Sequence, residues 1–287
     1  WGLYGNLHNL VIQPQPAANV DPQAFMYSLR VALLRAGVFL AGAARHAKPD
    51  EVDIYELPPL TRRPPASGLP SVAYVYQVHS HQFPTGAEEP VLYGSNVRNF
   101  LPTVLHPNEV LDGAVVRGYY SKGYETYTAQ NHPIIRELYA RHGAALEFVG
   151  MIATVAQQTE PERLRGAAMA AKLVTEVLGA DGAVLSKTGG GAPHIDMGQI
   201  AEYLERDGVR TTLLVQDMSG DGSPEGALLL NFPGADAIVN TGSTPGHISL
   251  PAAERIIGAA PGALVLGKPA GGALEIVRRM VTFEDGL

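Results

Sequence analysis

Two sets of residues in this chain have types and spacings that could take part in chemistry. The first combines a histidine with two carboxylates, and the second is a pair of histidines. His106, Glu109 and Asp112 recur at intervals of three residues, and a His-x-x-Glu spacing places both side chains on one face of a helix. Such a group can exchange protons with a substrate, so these three are the candidate catalytic residues. The structural alternative is a loop brace in which Asn108 and Asp112 cap local turns.

The second group is a pair of histidines. His79 and His81 follow the strand-like run Val72–Val78, and a spacing of two places them on one side of an extended chain, as metal ligands often require. No third ligand is evident, so we predict no metal site here. Histidines exposed in a loop are the commoner alternative, and a histidine-based metal enzyme is the weakest functional hypothesis.

Two loops have the composition of ligand-binding segments. Gly189, Gly190 and Gly191 stand between a strand and a helix, a context that suits a small anion at the helix N-terminus. The motif is not GxGxxG and lacks a basic residue at P-loop spacing, so these glycines can equally serve a tight turn. Asp217 opens an acidic loop after the next strand, which is either a ligand loop or an ordinary turn.

The elements that must position these residues follow an α/β pattern. The apolar runs Ala183–Leu185, Thr211–Val215 and Ala237–Val239 are each followed by a polar, Gly-rich loop, and a helix separates the first two. This alternation predicts a parallel sheet of βαβ units, similar to a doubly wound fold, in which ligands bind beyond the carboxyl ends of the strands. The candidate substrate-binding residues are accordingly His79, His81, Gly189, Gly190, His194, Asp196 and Asp217.

Further elements are predicted from capping signals and apolar spacing. The predicted strands are Leu7–Ile12, Val72–Val78 and Phe148–Val155, and the predicted helices are Pro22 to about Ala44 (capped by Asp21), His132–His142 (capped by Asn131), Thr159 to about Leu178, and His194–Asp207 (stopped by Gly208). Glu254–Ile257 is predicted as a short helix. Ala263–Leu266 and Ala273–Val281 fit strand or helix equally.

We predict two parts in the chain. Residues 1–68 form an N-terminal strand–helix segment with a proline-rich connector, and residues 69–287 form the α/β core with an irregular insertion at 79–130. The insertion contains Tyr119, Tyr120, Tyr124 and Tyr127. Such a density of tyrosine is typical of an interface with another chain, although these rings could also line a pocket.

Composition excludes several classes of function. Of 287 residues, 46% are hydrophobic and 17% charged, as expected for a soluble globular protein, and a net charge of −7 argues against nucleic acid as a partner. The absence of cysteine excludes disulfides, thiolate metal sites and a cysteine nucleophile. Because neither a membrane span nor a secretory signal is evident, we expect a cytoplasmic protein. The first residue is Trp1, as expected if an upstream segment was cut or left out.

Several motifs together resemble one family. The segments LHPNEVLDGAVVRG (Leu105–Gly118), NHPIIRELYARHGAALEFVGMI (Asn131–Ile152), LGADGAVLSKTGGGAPHIDM, PGADAIVNTGS and LPAAERIIG are similar, in order and spacing, to component B of the glycine, sarcosine and betaine reductases, a family that includes the D-proline reductase proprotein. The resemblance extends from about Asp50 to Gly258 and is weaker before that.

The resemblance implies a reaction and a partner. Members of the family cleave themselves at a cysteine, which becomes a pyruvoyl group that captures a substrate amine for reductive C–N cleavage by a thiol or selenol. In this chain Ala201 aligns near that cysteine, and neither serine nor threonine lies between Thr188 and Thr211. We therefore expect no self-cleavage, no pyruvoyl group and no other cofactor.

The leading functional hypothesis is a subunit of a hetero-oligomeric reductase. It would act with a homologous subunit that carries the thiol or selenol, on a small polar, amine-type substrate. The alternative is a catalytically silent scaffold that stabilises this partner.

Overall fold

The computed structural model describes residues 10, 12–60, 67–78, 101–113, 126–157, 159–187, 191–216, 234–241, 247–250 and 274–277. Contacts divide the chain into two compact units, one of Trp1–Ile54 with Pro245–Leu287 and one of Tyr55–Thr244. Compactness does not test where independently folding domains begin, so the division at residue 68 stays a prediction.

The larger unit contains a six-stranded sheet in the order β2-β3-β1-β4-β5-β6. Its strands are β1 (Ser71–Gln77), β2 (Thr103–Leu105), β3 (Glu147–Thr154), β4 (Gly182–Ser186), β5 (Arg210–Val215) and β6 (Ala237–Asn240). All neighbouring pairs are parallel except β2–β3, which is antiparallel. The predicted α/β class with a parallel sheet is confirmed.

Helices cover both faces of this sheet. One face carries Tyr74 and Tyr76 and packs against the layer of α2 (Asn108–Leu111), α3 (Thr126–Gln130) and α4 (Pro133–Arg141); we name it the tyrosine face. The other carries Val75 and Leu185 and packs against α5 (Glu160–Lys172) and α6 (Ala192–Arg206); we name it the lysine face, after the Lys187 that follows β4. Strand β1 is buried on both faces, as its unbroken apolar run predicts.

Local signals placed most helix ends correctly. Thr159 precedes α5, and Gly208, with φ 86°, follows α6. Helix α5 continues as a π-helical turn, Leu173–Leu178, which ends at the left-handed Gly179. Two caps differ from expectation: His132 rather than Asn131 is the residue before α4, and the Thr159 hydroxyl donates to Glu162 Oε2 at 2.7 Å.

Strand β3 contains a bulge that sets which side chains face which layer. Val72 pairs with Phe148 and Ala73 with Gly150, so Val149 is an extra residue. Gly150 has φ 125°, and a Cβ there would lie 3.0 Å from Leu60 Cδ2. Glycine is required because an L-residue would be strained at that φ and would displace the leucine.

Three short elements lie within the predicted irregular insertion at 79–130: β2, α2 and α3. Local periodicity gave no sign of β2, because a three-residue edge strand is specified by its pairing with β3.

The smaller unit contains α1 (Pro22–Ala43), a 3₁₀ turn (Ala44–His46), and the antiparallel pair β7 (His247–Leu250) and β8 (Leu274–Val277). Asp21 Oδ1 accepts from Ala24 N at 3.0 Å, which confirms the predicted cap. The stretch Ala273–Val281 contains a strand. The described part of Leu7–Ile12, namely Leu10 and Ile12, is not in a strand. The segments predicted at 254–257 and 263–266 lie outside the described residues.

No described helix combines the length and the apolarity that a membrane crossing would need.

Candidate functional site

The strand order places a topological switch point between β1 and β4. From β1 the chain adds β3 on one side and then crosses to add β4 on the other. Connections leaving β1 and β4 therefore diverge, and in open α/β sheets such a divergence predicts a ligand crevice at the carboxyl ends of the two strands. Gln77 ends β1 and Ser186 ends β4, so these residues and their successors border the crevice.

A row of polar residues crosses three strands at this edge, on the lysine face. Thr154 of β3 pairs with Gln77 of β1, and Tyr76 pairs with Ser186, which places Lys187 level with Gln77. Alternation from Ile152, Val75 and Leu185 directs all three toward α5 and α6. Neighbouring strands are about 4.8 Å apart, so Thr154, Gln77 and Lys187 form a continuous row, named here the polar row.

Two members of the polar row are buried without hydrogen-bond partners. Gln77 is 2% exposed and Thr154 is 3% exposed. Within the described part of the chain, neither amide atom of Gln77 nor the Thr154 hydroxyl has a hydrogen-bond partner. Each such group costs about 1–3 kcal/mol, and native proteins keep few of them. The row is therefore suited to a polar ligand with both donor and acceptor atoms.

The first turn of α6 lies over this row. Asp196, the fifth residue of α6, accepts from Gln157 N through Oδ2 at 2.8 Å, which ties the beginning of the helix to the exit of β3. The segment that joins β4 to α6 begins at Lys187, directly after β4. Because β1 lies between β3 and β4, the turn spans the exit of β1, where Gln77 stands. The N-terminus of this 15-residue helix adds partial positive charge there.

Burial shifts the pKa values of two ionisable groups near the beginning of α6. Burial raises the pKa of Asp196 to about 6, against the opposing effects of the Gln157 hydrogen bond and of Arg163, whose Nε lies 3.7 Å from Asp196 Oδ1. Burial, and secondarily the charge of Lys187, lowers the pKa of His194 to about 4. At neutral pH the site thus contains a carboxylate and a neutral imidazole.

The amine of Lys187 also has a shifted pKa. Burial lowers the pKa of this half-buried lysine to about 8. At pH 7 about nine tenths of the side chain is an ammonium that can bind an anion, and about one tenth is the unprotonated amine. Strongly perturbed groups in a cleft mark candidate functional sites.

The tyrosine face carries a different polar cluster at the same edge. Tyr74 Oη lies 2.5 Å from Ser186 Oγ and 3.3 Å from His132 Nε2. The Tyr76 ring packs edge-on against His132, with centroids 5.1 Å apart. The hydroxyl of Tyr74 thus has two partners supplied by the chain itself.

The predicted catalytic residues stand elsewhere. Glu109 Oε2 accepts from His106 N at 2.7 Å, His106 Nδ1 accepts from Asn108 N at 3.2 Å, and Asp112 is exposed at the end of α2. Because β2 runs antiparallel to β3, it delivers these residues toward the amino edge of the sheet, away from the crevice. Their bonds are those of a loop brace, and a catalytic role stays a prediction.

The other predicted site residues divide into two sets. His194 and Asp196 are brought together on α6. His79, His81, Gly189, Gly190 and Asp217 lie outside the described residues, as do Tyr119, Tyr120 and Tyr124.

Ala201, which we predicted to lie near the family's cleavage position, is 1% exposed in the interior of α6. No three potential ligands among His, Asp and Glu gather closely enough to hold a metal ion within the described ranges.

Sequence reasoning missed Gln77 and Thr154. The available signal was a polar residue ending each of two otherwise apolar strands, SVAYVYQ and EFVGMIAT. In a strand buried on both faces, such a residue must either find a partner or serve a ligand.

Comparison with known proteins agrees with the motif resemblance. The family profile described as "Glycine/sarcosine/betaine reductase component B subunits" matches residues 1–284. The chain is 32% identical over 254 residues to glycine reductase complex component B subunits alpha and beta of Acetoanaerobium sticklandii, covering 87% of this chain and 58% of that protein.

Two further relatives come from Peptoclostridium acidaminophilum. Betaine reductase complex component B subunit alpha is 33% identical over 263 residues, covering 89% of this chain and 59% of that protein. Sarcosine reductase complex component B subunit alpha is 29% identical over 259 residues, covering 89% and 60%. The chain thus spans about three fifths of the length of these relatives. No solved structure gives a significant match. The chain belongs to the family of glycine/sarcosine/betaine reductase component B subunits.

Proposed function

We propose that this chain is the substrate-holding subunit of a heteromeric reductase complex. It binds a small amine-type substrate that carries a carboxylate, at the polar row beneath the first turn of α6, and presents it to a partner subunit with a thiol or selenol. Support comes from the relatives, which are named as components of glycine, betaine and sarcosine reductase complexes.

The observation that carries the proposal is a pair of buried polar side chains in the row, Gln77 and Thr154, that have no hydrogen-bond partner among the described residues. The Gln77 amide offers a donor and an acceptor, the Thr154 hydroxyl offers a donor, and both are buried without partners among the described residues. Lys187 and the N-terminus of α6 favour the carboxylate of a ligand, and Asp196 favours its amine. A zwitterionic substrate therefore matches the charges on this side of the sheet.

The division of labour follows from composition. A chain without cysteine has no thiol to donate electrons, so the reducing equivalents come from the partner. Ala201 occupies the position aligned near the pyruvoyl-forming cysteine, and the substrate is therefore held by non-covalent contacts rather than through a carbonyl group of this subunit.

A binding experiment tests the site directly. Titration calorimetry of the full chain with glycine, sarcosine and betaine is expected to detect binding of at least one, which Gln77→Leu and Lys187→Met weaken by about tenfold or more, since each contact contributes about 1.5–3 kcal/mol. Lys172→Met is the matched control, because Lys172 is exposed and pairs with Glu176 and Asp207. Binding unchanged by both site variants would contradict the proposal.

A reconstitution experiment tests the complex. Reductive cleavage is expected only when the chain is combined with a thiol- or selenol-bearing homologous subunit, and the two are expected to co-purify. Turnover by this chain alone would refute the division of labour.

A catalytically silent scaffold is the second candidate. It is favoured by the absence of cysteine and by the braced geometry of His106 and Glu109. As a scaffold, the chain would stabilise the partner equally well with or without Gln77 and Lys187, and the turnover of the complex would be insensitive to both variants.

A further inference from the structure

We propose that the Lys187 side chain captures a small carbonyl compound covalently, as an imine, at the polar row beneath α6. The class of ligand is a short oxo acid, with an aldehyde or ketone next to a carboxylate. This activity goes beyond the proposed function, because it requires neither a reductase partner nor a second substrate.

The position of Lys187 is that of a reactive group. It immediately follows β4 at the switch point, where the connections from β1 and β4 diverge. Its neighbour in the row is Gln77, Thr154 lies one strand further, and His194 of α6 is within electrostatic range of it. A ligand in the crevice therefore meets the amine, an amide and a hydroxyl on one side of the sheet.

The protonation state of the site suits attack by an amine. Imine formation requires the unprotonated amine, and with a pKa lowered to about 8, about half of Lys187 is unprotonated at pH 8. Less than about 1% of a lysine with the ordinary pKa would be. His194 is neutral in this range, so it does not repel an ammonium and can exchange a proton with the reacting atoms.

The polar row supplies recognition for the carboxylate. The N-terminus of α6 favours an anion, and it is accompanied by an independent feature: Gln77, 2% exposed, with neither amide atom hydrogen-bonded within the described residues. The Gln77 N–H and the Thr154 O–H can donate to the carboxylate while the adjacent carbonyl carbon lies next to Lys187.

The reaction balances without a redox partner. The amine nitrogen forms a bond to the carbonyl carbon, the carbonyl oxygen takes up a proton to give a carbinolamine, and loss of that oxygen as water leaves a C=N bond. An amine and a carbonyl compound thus give an imine and water, and the step is reversible.

Reductive trapping tests this proposal. The full chain is incubated with glyoxylate and sodium cyanoborohydride, which reduces an imine to a stable secondary amine, and the lysines are mapped by peptide mass spectrometry. The chain has five lysines, Lys48, Lys122, Lys172, Lys187 and Lys268, so four serve as internal references. We expect Lys187 to be labelled at least about tenfold faster than any other at pH 7.5.

Variants and pH separate the site from general lysine reactivity. Lys187→Arg is expected to abolish the fast labelling, and Lys172→Arg to leave it unchanged. The rate at Lys187 should level off above about pH 8, whereas labelling of the exposed lysines should keep rising. Gln77→Leu should slow labelling by glyoxylate severalfold but not labelling by acetaldehyde, which has no carboxylate.

Uniform labelling of the five lysines in the unmodified chain would overturn the proposal, and this readout does not depend on any variant folding. Binding of an amine substrate without selective labelling of Lys187 would contradict imine formation and would leave the proposed function unaffected. Selective labelling of Lys187 without amine binding would support imine formation and contradict the proposed function.

Discussion

Two buried polar side chains of β1, which point to opposite faces of the central sheet, differ in their hydrogen bonding. Tyr74 and Gln77 lie three residues apart on β1 and are both almost inaccessible to solvent. On the tyrosine face, the Tyr74 hydroxyl contacts Ser186 and His132. On the lysine face, the Gln77 amide has no hydrogen bond within the described residues. A polar group partnered by its own chain supports the fold, whereas an unpaired buried one costs stability, and we propose that Gln77 is retained for a ligand.

The ionisable groups follow the same division. On the lysine face, desolvation favours the uncharged form of three groups: it lowers the pKa of Lys187 to about 8, lowers that of His194 to about 4 and raises that of Asp196 to about 6. On the helix layer of the tyrosine face, His106 and Glu109 are engaged in backbone hydrogen bonds around α2. The residues with the sequence spacing of a catalytic group thus form a brace-like arrangement, and their catalytic role stays a prediction, whereas the groups with shifted pKa values lie near the switch point.

The largest effect is expected for Asp196→Ala. This change leaves Gln157 N without its acceptor and Arg163 without its counter-charge, and should lower the free energy of unfolding by about 3 kcal/mol. Urea unfolding at pH 7.5 measures it. Asp207→Ala is the control, because Asp207 pairs with Lys172 at the surface, where such pairs contribute about 0–1 kcal/mol. Equal losses in the two variants would contradict the structural role of Asp196.

The pH dependence of stability gives the next largest effect. The unfolded chain protonates His194 near pH 6.5 and the folded chain near pH 4, so this residue lowers stability as pH falls through that window. Asp196 takes up its proton near pH 6 in the folded chain but near 3.8 when unfolded, so it raises stability as pH falls and offsets His194. Asp196→Asn removes the offset.

Asp196→Asn should therefore lose stability with falling pH more steeply than the unmodified chain, by about 1 kcal/mol per pH unit between pH 6 and 4. Denaturant unfolding in half-unit pH steps measures the two curves. Parallel curves would mean that the pKa of Asp196 is not raised in the folded chain.

Tyr74→Phe tests the partnered side of the comparison. Removing the hydroxyl leaves Ser186 Oγ and His132 Nε2 without this partner, and should cost about 1–2 kcal/mol. Tyr203→Phe is the matched control. The Tyr203 ring is partly buried against the core of the lysine face, and its hydroxyl makes no hydrogen bond with any residue that the structure describes. If Tyr203→Phe lowered the free energy of unfolding as much as Tyr74→Phe, the hydrogen bonds of the Tyr74 hydroxyl would not be the cause of the loss.

Gln77→Leu tests the unpaired side and should act in the opposite direction. Replacing a buried, unpaired amide by an apolar side chain of similar length is expected to raise the free energy of unfolding by up to about 1 kcal/mol. Thermal unfolding without ligand measures the gain. A loss of stability as large as that of Tyr74→Phe would mean that the two faces do not differ.

Glu109→Gln should have the smallest effect on stability. The variant keeps an oxygen that can accept from His106 N, so about 0.5 kcal/mol is expected, with turnover of the reconstituted complex unchanged. Proton transfer by His106, Glu109 and Asp112 would instead require a fall in turnover of about a hundredfold or more. The turnover assay therefore decides between a brace and a catalytic role.

Much of the fold could be predicted because its signals are local. Strands β4, β5 and β6 are short apolar runs followed by polar loops, and Asp21, Thr159 and Gly208 mark helix ends with their own side-chain or backbone chemistry. The parallel sheet follows from the alternation of strands and helices. The site was predicted in part, since His194 and Asp196 follow the Gly-rich loop at the ligand edge, but Gln77 and Thr154 were not.

The sequence by itself determined the types of most elements of the larger unit, the edge at which loops gather, the absence of any thiol and the family. Tertiary structure alone decided which residues meet at that edge. Strict alternation from Phe148 would place Thr154 on the tyrosine face, and the bulge at Val149 turns it to the lysine face beside Gln77. The order β3-β1-β4 then brings Lys187 into the same row. Register and desolvation depend on neighbours distant along the chain, and for that reason no local pattern could specify them.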